Sequence, residues 1–187
     1  MKIIKRNKEI TNIINKSKFI GIVKKIYTKN DIDAILIELH KKYFDATHIC
    51  YAYILNSEKK YYDDNEPSGT AGIPILNVLE KNDLNYTIAI VVRYFGGIKL
   101  GSNGLVRAYS NTISSALKDN IKEIELGYLI EINEDYTKSN DLDYLLKDAN
   151  IIQKEFTDKL KIKALIKQEL LNKLNGINYV ILEEIII

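Results

Sequence analysis

Residues 93–104 read Arg-Tyr-Phe-Gly-Gly-Ile-Lys-Leu-Gly-Ser-Asn-Gly, and this is the most informative stretch of the chain. Six of the nine glycines in the 187-residue chain lie between Gly69 and Gly104, and the two prolines, Pro67 and Pro74, lie in or beside the same window. Glycine loses more backbone freedom on folding than any other residue, so a chain that avoids it elsewhere needs special backbone geometry here. Loops of this kind are where ligands meet the main chain.

The stretch joins a predicted strand to a predicted helix. The apolar run Thr87–Val92 indicates a strand buried on both faces, and a helical pattern runs from Leu105 through Leu117 with Asn103 or Ser102 as its N-cap. Backbone amides at a helix N-terminus can bind anions. The loop lacks the Gly-Lys-Ser/Thr ending of a Walker A motif and does not match Gly-x-Gly-x-x-Gly. A tight structural turn therefore explains the glycines as well as a phosphate cradle does.

Arginine usage points to the same place. Of 27 basic residues only Arg6, Arg93 and Arg107 are arginines, and the last two bracket the loop. The planar guanidinium suits the grip of a phosphate or carboxylate, which predicts an anion site. The alternative is that both arginines stabilise the fold through ion pairs with Asp63, Asp64 or Glu66.

The acidic loop before Pro67 offers three carboxylates, Asp63, Asp64 and Glu66, within four residues. They could hold a hard cation through oxygen, cap the following helix, or pair with Arg93. Capping or pairing is the favoured interpretation, and we predict no metal site.

His48 and Cys50 lie two residues apart on a predicted strand and therefore share a face. The pair could be a nucleophile and its base, but a buried cysteine beside a hydrogen-bonded histidine is the commoner outcome. We therefore predict no catalytic residue and no cofactor, and we leave open whether the protein is an enzyme.

Tyrosines cluster near these loops with lysines interleaved, which is the pattern of single-strand nucleic-acid binding, although tyrosine is also a routine strand residue. The tyrosines are Tyr51, Tyr53, Tyr61, Tyr62, Tyr94 and Tyr109, and the lysines are Lys59, Lys60 and Lys99.

Hydrophobic patterning predicts the remaining elements of the first two thirds of the chain. They are a strand over Lys18–Tyr27, a helix capped by Asp31, a central strand over Thr47–Leu55, a loop over Lys59–Ser68 and a short helix with Pro74 in its first turn.

The tail repeats strand and helix signals in the order β-α-β-β-α-β, the ferredoxin-like unit. The predicted strands are Ile124–Asn133, Ile151–Phe156, Leu160–Ile166 and Tyr179–Ile187, and the predicted helices are Ser139–Asp148 and Glu169–Leu174. Charge changes at the same point, since residues 1–123 carry 19 basic and 13 acidic residues and residues 124–187 carry 8 and 12. We therefore predict two domains, 1–123 and 124–187, in an α+β protein.

Composition limits the cellular compartment in which we expect this protein. The single cysteine excludes an internal disulfide and fits a reducing cytoplasm, and the longest apolar run, Ile49–Leu55, is far too short for a membrane span. We expect a cytoplasmic monomer without a membrane partner.

Three blocks in order resemble the signature of the YigZ/IMPACT family. They are Ala46-Thr47-His48-Ile49-Cys50-Tyr51-Ala52, Asp63-Asp64-Asn65-Glu66-Pro67-Ser68-Gly69-Thr70-Ala71-Gly72, and Arg93-Tyr94-Phe95-Gly96-Gly97-Ile98-Lys99-Leu100-Gly101 continuing through Leu105-Val106-Arg107-Ala108-Tyr109-Ser110. Asn65 and Asn103 stand where the family usually has glycine. Asparagine tolerates positive φ best among the other residues, so the loop shapes should survive.

The resemblance implies an N-terminal domain with the fold of the second domain of a small-subunit ribosomal protein. It also implies a C-terminal ferredoxin-like domain similar to the fifth domain of elongation factor G. Family relatives in eukaryotes regulate translation, which implies RNA or the ribosome as partner. The alternatives are an enzyme or binder of a small phosphorylated or carboxylated ligand at the same loop, and a protein-interaction domain without a ligand.

The predicted site combines these observations. The anion contacts are Arg93, Tyr94, Gly96, Gly97, Lys99, Gly101, Ser102, Asn103 and Arg107, supported by His48, Asp63, Asp64, Glu66 and Ser68.

Overall fold

The computed structural model describes residues 1–56 and 58–186, and the chain divides into two compact units, Met1–Glu123 and Ile124–Ile187. The predicted end of the last strand at Ile187 lies outside the described residues. Within them, no helix is both long and apolar enough to cross a membrane.

The N-terminal unit is a five-stranded antiparallel sheet covered by three helices, with strand order β2-β3-β6-β4-β5. The strands are β1 Lys2–Ile4, β2 Lys8–Ile14, β3 Ser17–Lys25, β4 His48–Leu55, β5 Glu58–Tyr62, β6 Thr87–Tyr94 and β7 Ile121–Glu123. The helices are α1 Lys29–Lys42, α2 Gly72–Lys81 and α3 Gly101–Leu117. Strand β1 pairs with β7 in a separate two-stranded ribbon.

The middle strand is β6, the strand that leads into the glycine loop. Thr87 through Arg93 are all buried, as expected for a strand with neighbours on both edges and helices on both faces. The strand predicted over Thr47–Leu55 is β4, an interior strand that lies between β6 and the edge strand β5.

Helices α2 and α3 pack on one face of this sheet and form the main core with it. Small residues of β4 and β6, including Ala52 and Ala89, let these helices approach closely. Helix α1 and the residue that follows it contact side chains of β2 and β3 that do not belong to this core. Lys24 pairs with Glu38 at 2.8 Å, and the Tyr43 hydroxyl, just after α1, donates to Glu9 at 2.9 Å.

Three local predictions need correction. Thr28, not Asp31, is the N-cap of α1, and Asp31 is the reciprocal member of a capping box. Helix α3 begins at Gly101 after Leu100, without any side-chain cap, so neither Ser102 nor Asn103 caps it.

The third correction concerns the predicted loop over Lys59–Ser68. Its first part, residues 59–62, belongs to strand β5. Its residues pair with β4, with Tyr62 opposite Tyr51 and Tyr61 opposite Ala52. An edge strand exposes much of its surface, so its polar composition imitates that of a loop.

The C-terminal unit is a four-stranded antiparallel sheet in the order β11-β8-β10-β9, which confirms the ferredoxin-like arrangement. The strands are β8 Leu126–Glu134, β9 Asn150–Phe156, β10 Leu160–Lys167 and β11 Tyr179–Ile186, and the helices are α4 Ser139–Leu145 and α5 Gln168–Leu171. Its core joins Ile130 and Ile162 of the sheet to Leu142 and Leu146.

Glu134 at the end of β8 predicts an acid-dependent stability of this unit. The Lys138 ammonium at 2.9 Å and the Asn178 amide at 2.7 Å lower the pKa of the Glu134 carboxyl below its ordinary value of 4.5. A lowered pKa contributes stability that is present above pH 4.5 and is lost as the pH falls through the folded-state pKa.

Glu134→Gln keeps an oxygen acceptor but cannot titrate. We expect its unfolding temperature to fall less than that of the unaltered protein between about pH 5 and about pH 3, as measured by calorimetry. Glu183→Gln, at an exposed position of β11, is the control. Identical pH profiles for the Glu134 variant and the unaltered protein would contradict the prediction.

Candidate functional site

A buried ion pair lies beneath the glycine loop. Arg93 on β6 is only 5% exposed, and its Nη1 donates to Glu66 Oε1 at 2.5 Å. The Tyr109 hydroxyl of α3 donates to the same oxygen at 2.7 Å. Among the described residues, Arg93 Nε is buried without a hydrogen-bond partner. Glu66 therefore compensates much of the Arg93 charge, which is the structural alternative that the sequence left open.

Two aromatic rings lie next to the Arg93 guanidinium. Its central carbon lies 5.3 Å from the centroid of the Phe19 ring and 5.5 Å from that of Phe95. Phe19 is fully buried, whereas Phe95 is 46% exposed. The Arg93 guanidinium therefore makes a cation–π contact with the exposed ring of Phe95.

The carboxylate of Asp63 binds backbone amides. Its two oxygens accept from Gly69 at 2.9 Å, Ala71 at 3.1 Å and Gly72 at 2.7 Å, so Asp63 neutralises the start of α2. Asp64 accepts from the Ile49 amide at 2.6 Å. Of the roles considered for this loop, Asp63 therefore has that of a cap for α2. Neither Asp63 nor Asp64 pairs with Arg93, because both carboxylates bind the main chain.

His48 is held by the backbone of the same acidic loop. Its Nδ1 lies 2.7 Å from the Asp64 carbonyl oxygen. Because a carbonyl only accepts, Nδ1 carries the proton, and the opposite nitrogen, Nε2, lies 3.8 Å from Glu66 Oε1. The loop therefore fixes both the orientation and the tautomer of His48.

Cys50 is fully buried and donates to the Asp63 carbonyl at 2.9 Å. Burial raises the pKa of its thiol to about 12, and the carboxylates of Glu66, Asp64 and Asp63 act in the same direction. The thiol is thus protonated at neutral pH, and the arrangement does not activate a nucleophile.

We expect Cys50 to react with a thiol reagent at least about tenfold more slowly in the native protein than after unfolding in guanidinium, since neither the thiolate nor the side chain is accessible. The measurement is the rate of modification near neutral pH. Equal rates in both states would show that the thiol is reachable and ionised.

A cavity of about 440 Å³ opens beside the Arg93–Glu66 pair. It brings together six of the predicted residues, His48, Glu66, Arg93, Lys99, Gly101 and Ser102. Sequence reasoning did not place five others in the site: Thr47, Pro67, Phe95, Leu100 and Leu105. Phe95 and Leu100 lie inside the glycine-rich stretch, and their exposed or half-exposed apolar side chains in a loop were the available signal.

The other predicted residues do not line this cavity. The Tyr94 hydroxyl donates to Asp45 at 2.8 Å, and the Gly96 amide donates to Ser17 Oγ at 3.1 Å, so this amide is not free to cradle an anion. The rest that lie outside the lining are Asp63, Asp64, Ser68, Gly97, Asn103 and Arg107.

The two departures from the family pattern behave differently. Asn65 has a φ of 63°, the positive value expected where the family has glycine. Asn103 is an exposed residue in the first turn of α3 and does not line the cavity. In the part of the chain that the structure describes, no three His, Cys, Asp or Glu side chains form a metal-holding group.

Known proteins are similar to this chain in sequence and in fold. Residues 15–117 match the model of the Impact N-terminal domain. IMPACT family member YvyE of Bacillus subtilis (strain 168) is 34% identical over 163 residues, which cover 84% of this chain and 75% of that protein. IMPACT family member YigZ of Escherichia coli (strain K12) is 36% identical over 110 residues, which cover 56% and 54%.

A crystal structure of an hypothetical protein is 26% identical, with a TM-score of 0.65 and coverage of 97% of both chains. The match of the family model to more than half of the sequence, together with the similarity to YvyE, establishes the family: this chain belongs to the IMPACT family.

Proposed function

We propose that the N-terminal unit binds single-stranded RNA of the translation apparatus, free or within the ribosome. The proposed contact is the loop surface, defined here as Phe95, Ile98, Lys99, Ser102 and Arg107. The link to translation comes from the family resemblance. The observation that carries RNA binding is the half-exposed Phe95 ring, supported by Arg93 and close in sequence to the exposed Lys99.

An exposed aromatic ring is a stacking platform for an unpaired base. The Arg93 guanidinium carbon lies 5.5 Å from the centroid of the Phe95 ring, and this contact would reduce the freedom that the ring loses when a base stacks on it. Ile98, 43% exposed, adds apolar surface to the same loop. Unpaired bases of RNA are recognised by stacking of this kind.

Positive charge accompanies the platform. Lys99 and Arg107 are exposed, and Arg107 lies one helical turn after Asn103 in α3. No acidic residue lies in the first turn of α3. The excess of six positive charges in residues 1–123 would draw a polyanion toward this unit.

The test is binding of a labelled single-stranded RNA, followed by fluorescence anisotropy across a salt series. We expect affinity to fall steeply as salt rises, because lysine and arginine release counterions from phosphates. Phe95→Ala should weaken binding at least about fivefold through the lost stacking. Lys99→Ala should weaken it and reduce the salt slope by about one.

Matched controls separate the loop surface from general charge and exposure. Phe44→Ala removes a ring that is 85% exposed after α1, and Lys41→Ala removes an exposed lysine of α1. Both controls should bind like the unaltered protein. Absence of binding at low salt, or equal losses in control and loop variants, would refute the proposal.

A further inference from the structure

We propose that the cavity beside Arg93 binds a phosphate monoester, the group carried by the 5′ end of a processed RNA and by a free nucleoside monophosphate. The RNA source of this group rests on the proposed function, whereas the cavity itself does not. Its volume of about 440 Å³ lies in the range of small-ligand sites.

The first support is the unsatisfied donor. Arg93 lines the cavity, is 5% exposed, and has a buried Nε without an acceptor among the described residues. Leaving a buried donor of a charged group unpaired is costly, and such a group in a folded protein requires an explanation. Because the Nε atom itself is buried, the Arg93 side chain would have to turn toward the cavity that it already lines for an anion there to supply this acceptor.

The second support is the contrast between two helix starts in the same unit. The amides before and at the start of α2 are occupied by the Asp63 carboxylate. Helix α3 begins at Gly101 without a side-chain cap or an acidic first turn, and Gly101 and Ser102 line the cavity. An anion there would have the role at α3 that Asp63 has at α2.

The remaining lining residues favour a terminal phosphate over an internal one. Lys99 adds a second cation, and the hydroxyl-bearing Thr47 and Ser102 are neutral. The Glu66 carboxylate also lines the cavity, but its charge is compensated by the ion pair with Arg93. A monoester approaches a charge of −2 and presents three free oxygens, whereas a phosphodiester continues the chain on both sides. Phe95, Leu100 and Leu105 provide the apolar walls that a sugar or base could contact.

The experiment compares matched probes with and without the phosphate. One arm measures binding of the same short single-stranded RNA with a 5′-phosphate and with a 5′-hydroxyl. The other arm measures the unfolding temperature with AMP and with adenosine. In the first arm we expect the affinity for the 5′-phosphorylated RNA to be at least about tenfold higher, the effect of one charge-assisted hydrogen bond. In the second arm we expect AMP to raise the unfolding temperature and adenosine to leave it unchanged. A positive result in either arm supports the cavity proposal.

Ser102→Asp is the informative variant, because it places a carboxylate in the first turn of α3, where an acid is tolerated but competes with an anion. Its preference for the phosphorylated probe should fall to about one, while Ser102→Asn, which adds a side chain of similar size without the charge, should lower the preference less. Retention of the preference in Ser102→Asp would overturn the proposed position of the phosphate.

The outcomes separate the two proposals. Equal affinity for both RNAs, with no AMP effect, overturns the cavity proposal and leaves RNA binding intact. A shift with AMP but no RNA binding supports the cavity, identifies a small molecule as the source, and refutes the proposed function. A preference for 5′-phosphorylated RNA supports both.

Discussion

Gly96→Ala is expected to destabilise the N-terminal unit by more than about 3 kcal/mol, the upper end of the effect of overpacking. A Cβ at this position would lie 2.0 Å from the carbonyl carbon of Lys16, 2.1 Å from its oxygen and 2.4 Å from the Ser17 nitrogen. All three are backbone atoms of the turn and strand start between β2 and β3, so no side-chain rotation relieves the clash. The free energy of unfolding from urea titration measures the effect.

Gly97→Ala is the matched control for this substitution. A Cβ at Gly97 meets no heavy atom within 4 Å, but the residue has a φ of 83°. Its cost is therefore conformational, about 1–2 kcal/mol. Equal losses for both variants would contradict the expected clash. The larger loss at Gly96 would identify this glycine as a packing residue.

Glu66→Ala is expected to cost about 3–5 kcal/mol, because removing one partner of a buried ion pair leaves the other charge uncompensated. The substitution leaves the Arg93 guanidinium without its carboxylate and the Tyr109 hydroxyl without the acceptor at 2.7 Å. Unfolding by urea, followed by circular dichroism, measures the loss.

The double variant Glu66→Leu/Arg93→Met is the control, since it removes both charges and restores apolar volume. It should be more stable than Glu66→Ala, because no unpaired charge remains in the interior. A double variant that loses as much as the sum of Glu66→Leu alone and Arg93→Met alone would show that the pair is not energetically coupled. Arg93→Ala would likewise leave the Glu66 carboxylate unpaired in the interior. A loss of binding in that variant would therefore not distinguish a lost contact from lost stability.

Local patterns account for what could be predicted. The elements from Thr87 through Leu117 follow from apolar runs and helical spacing, which act between near neighbours along the chain. The ferredoxin-like order of the C-terminal unit was predicted for the same reason. Strand β5 was missed because its pairing with β4 is a tertiary contact and its exposed composition resembles a loop.

The order of residues along the chain is enough to reveal the family motif, the strand–loop–helix junction and the concentration of glycine, proline and arginine around it. The choice of the carboxylate that pairs with Arg93 depends instead on the folded arrangement. Asp63, Asp64 and Glu66 are chemically alike and close in sequence, but Asp64 and Asn65 have positive φ values of 43° and 63°. That turn directs Asp63 to the start of α2 and Glu66 to the interior, where Arg93 of β6 and Tyr109 of α3 meet it. Sequence spacing does not encode these directions, because they depend on how the sheet places distant strands and helices beside the loop.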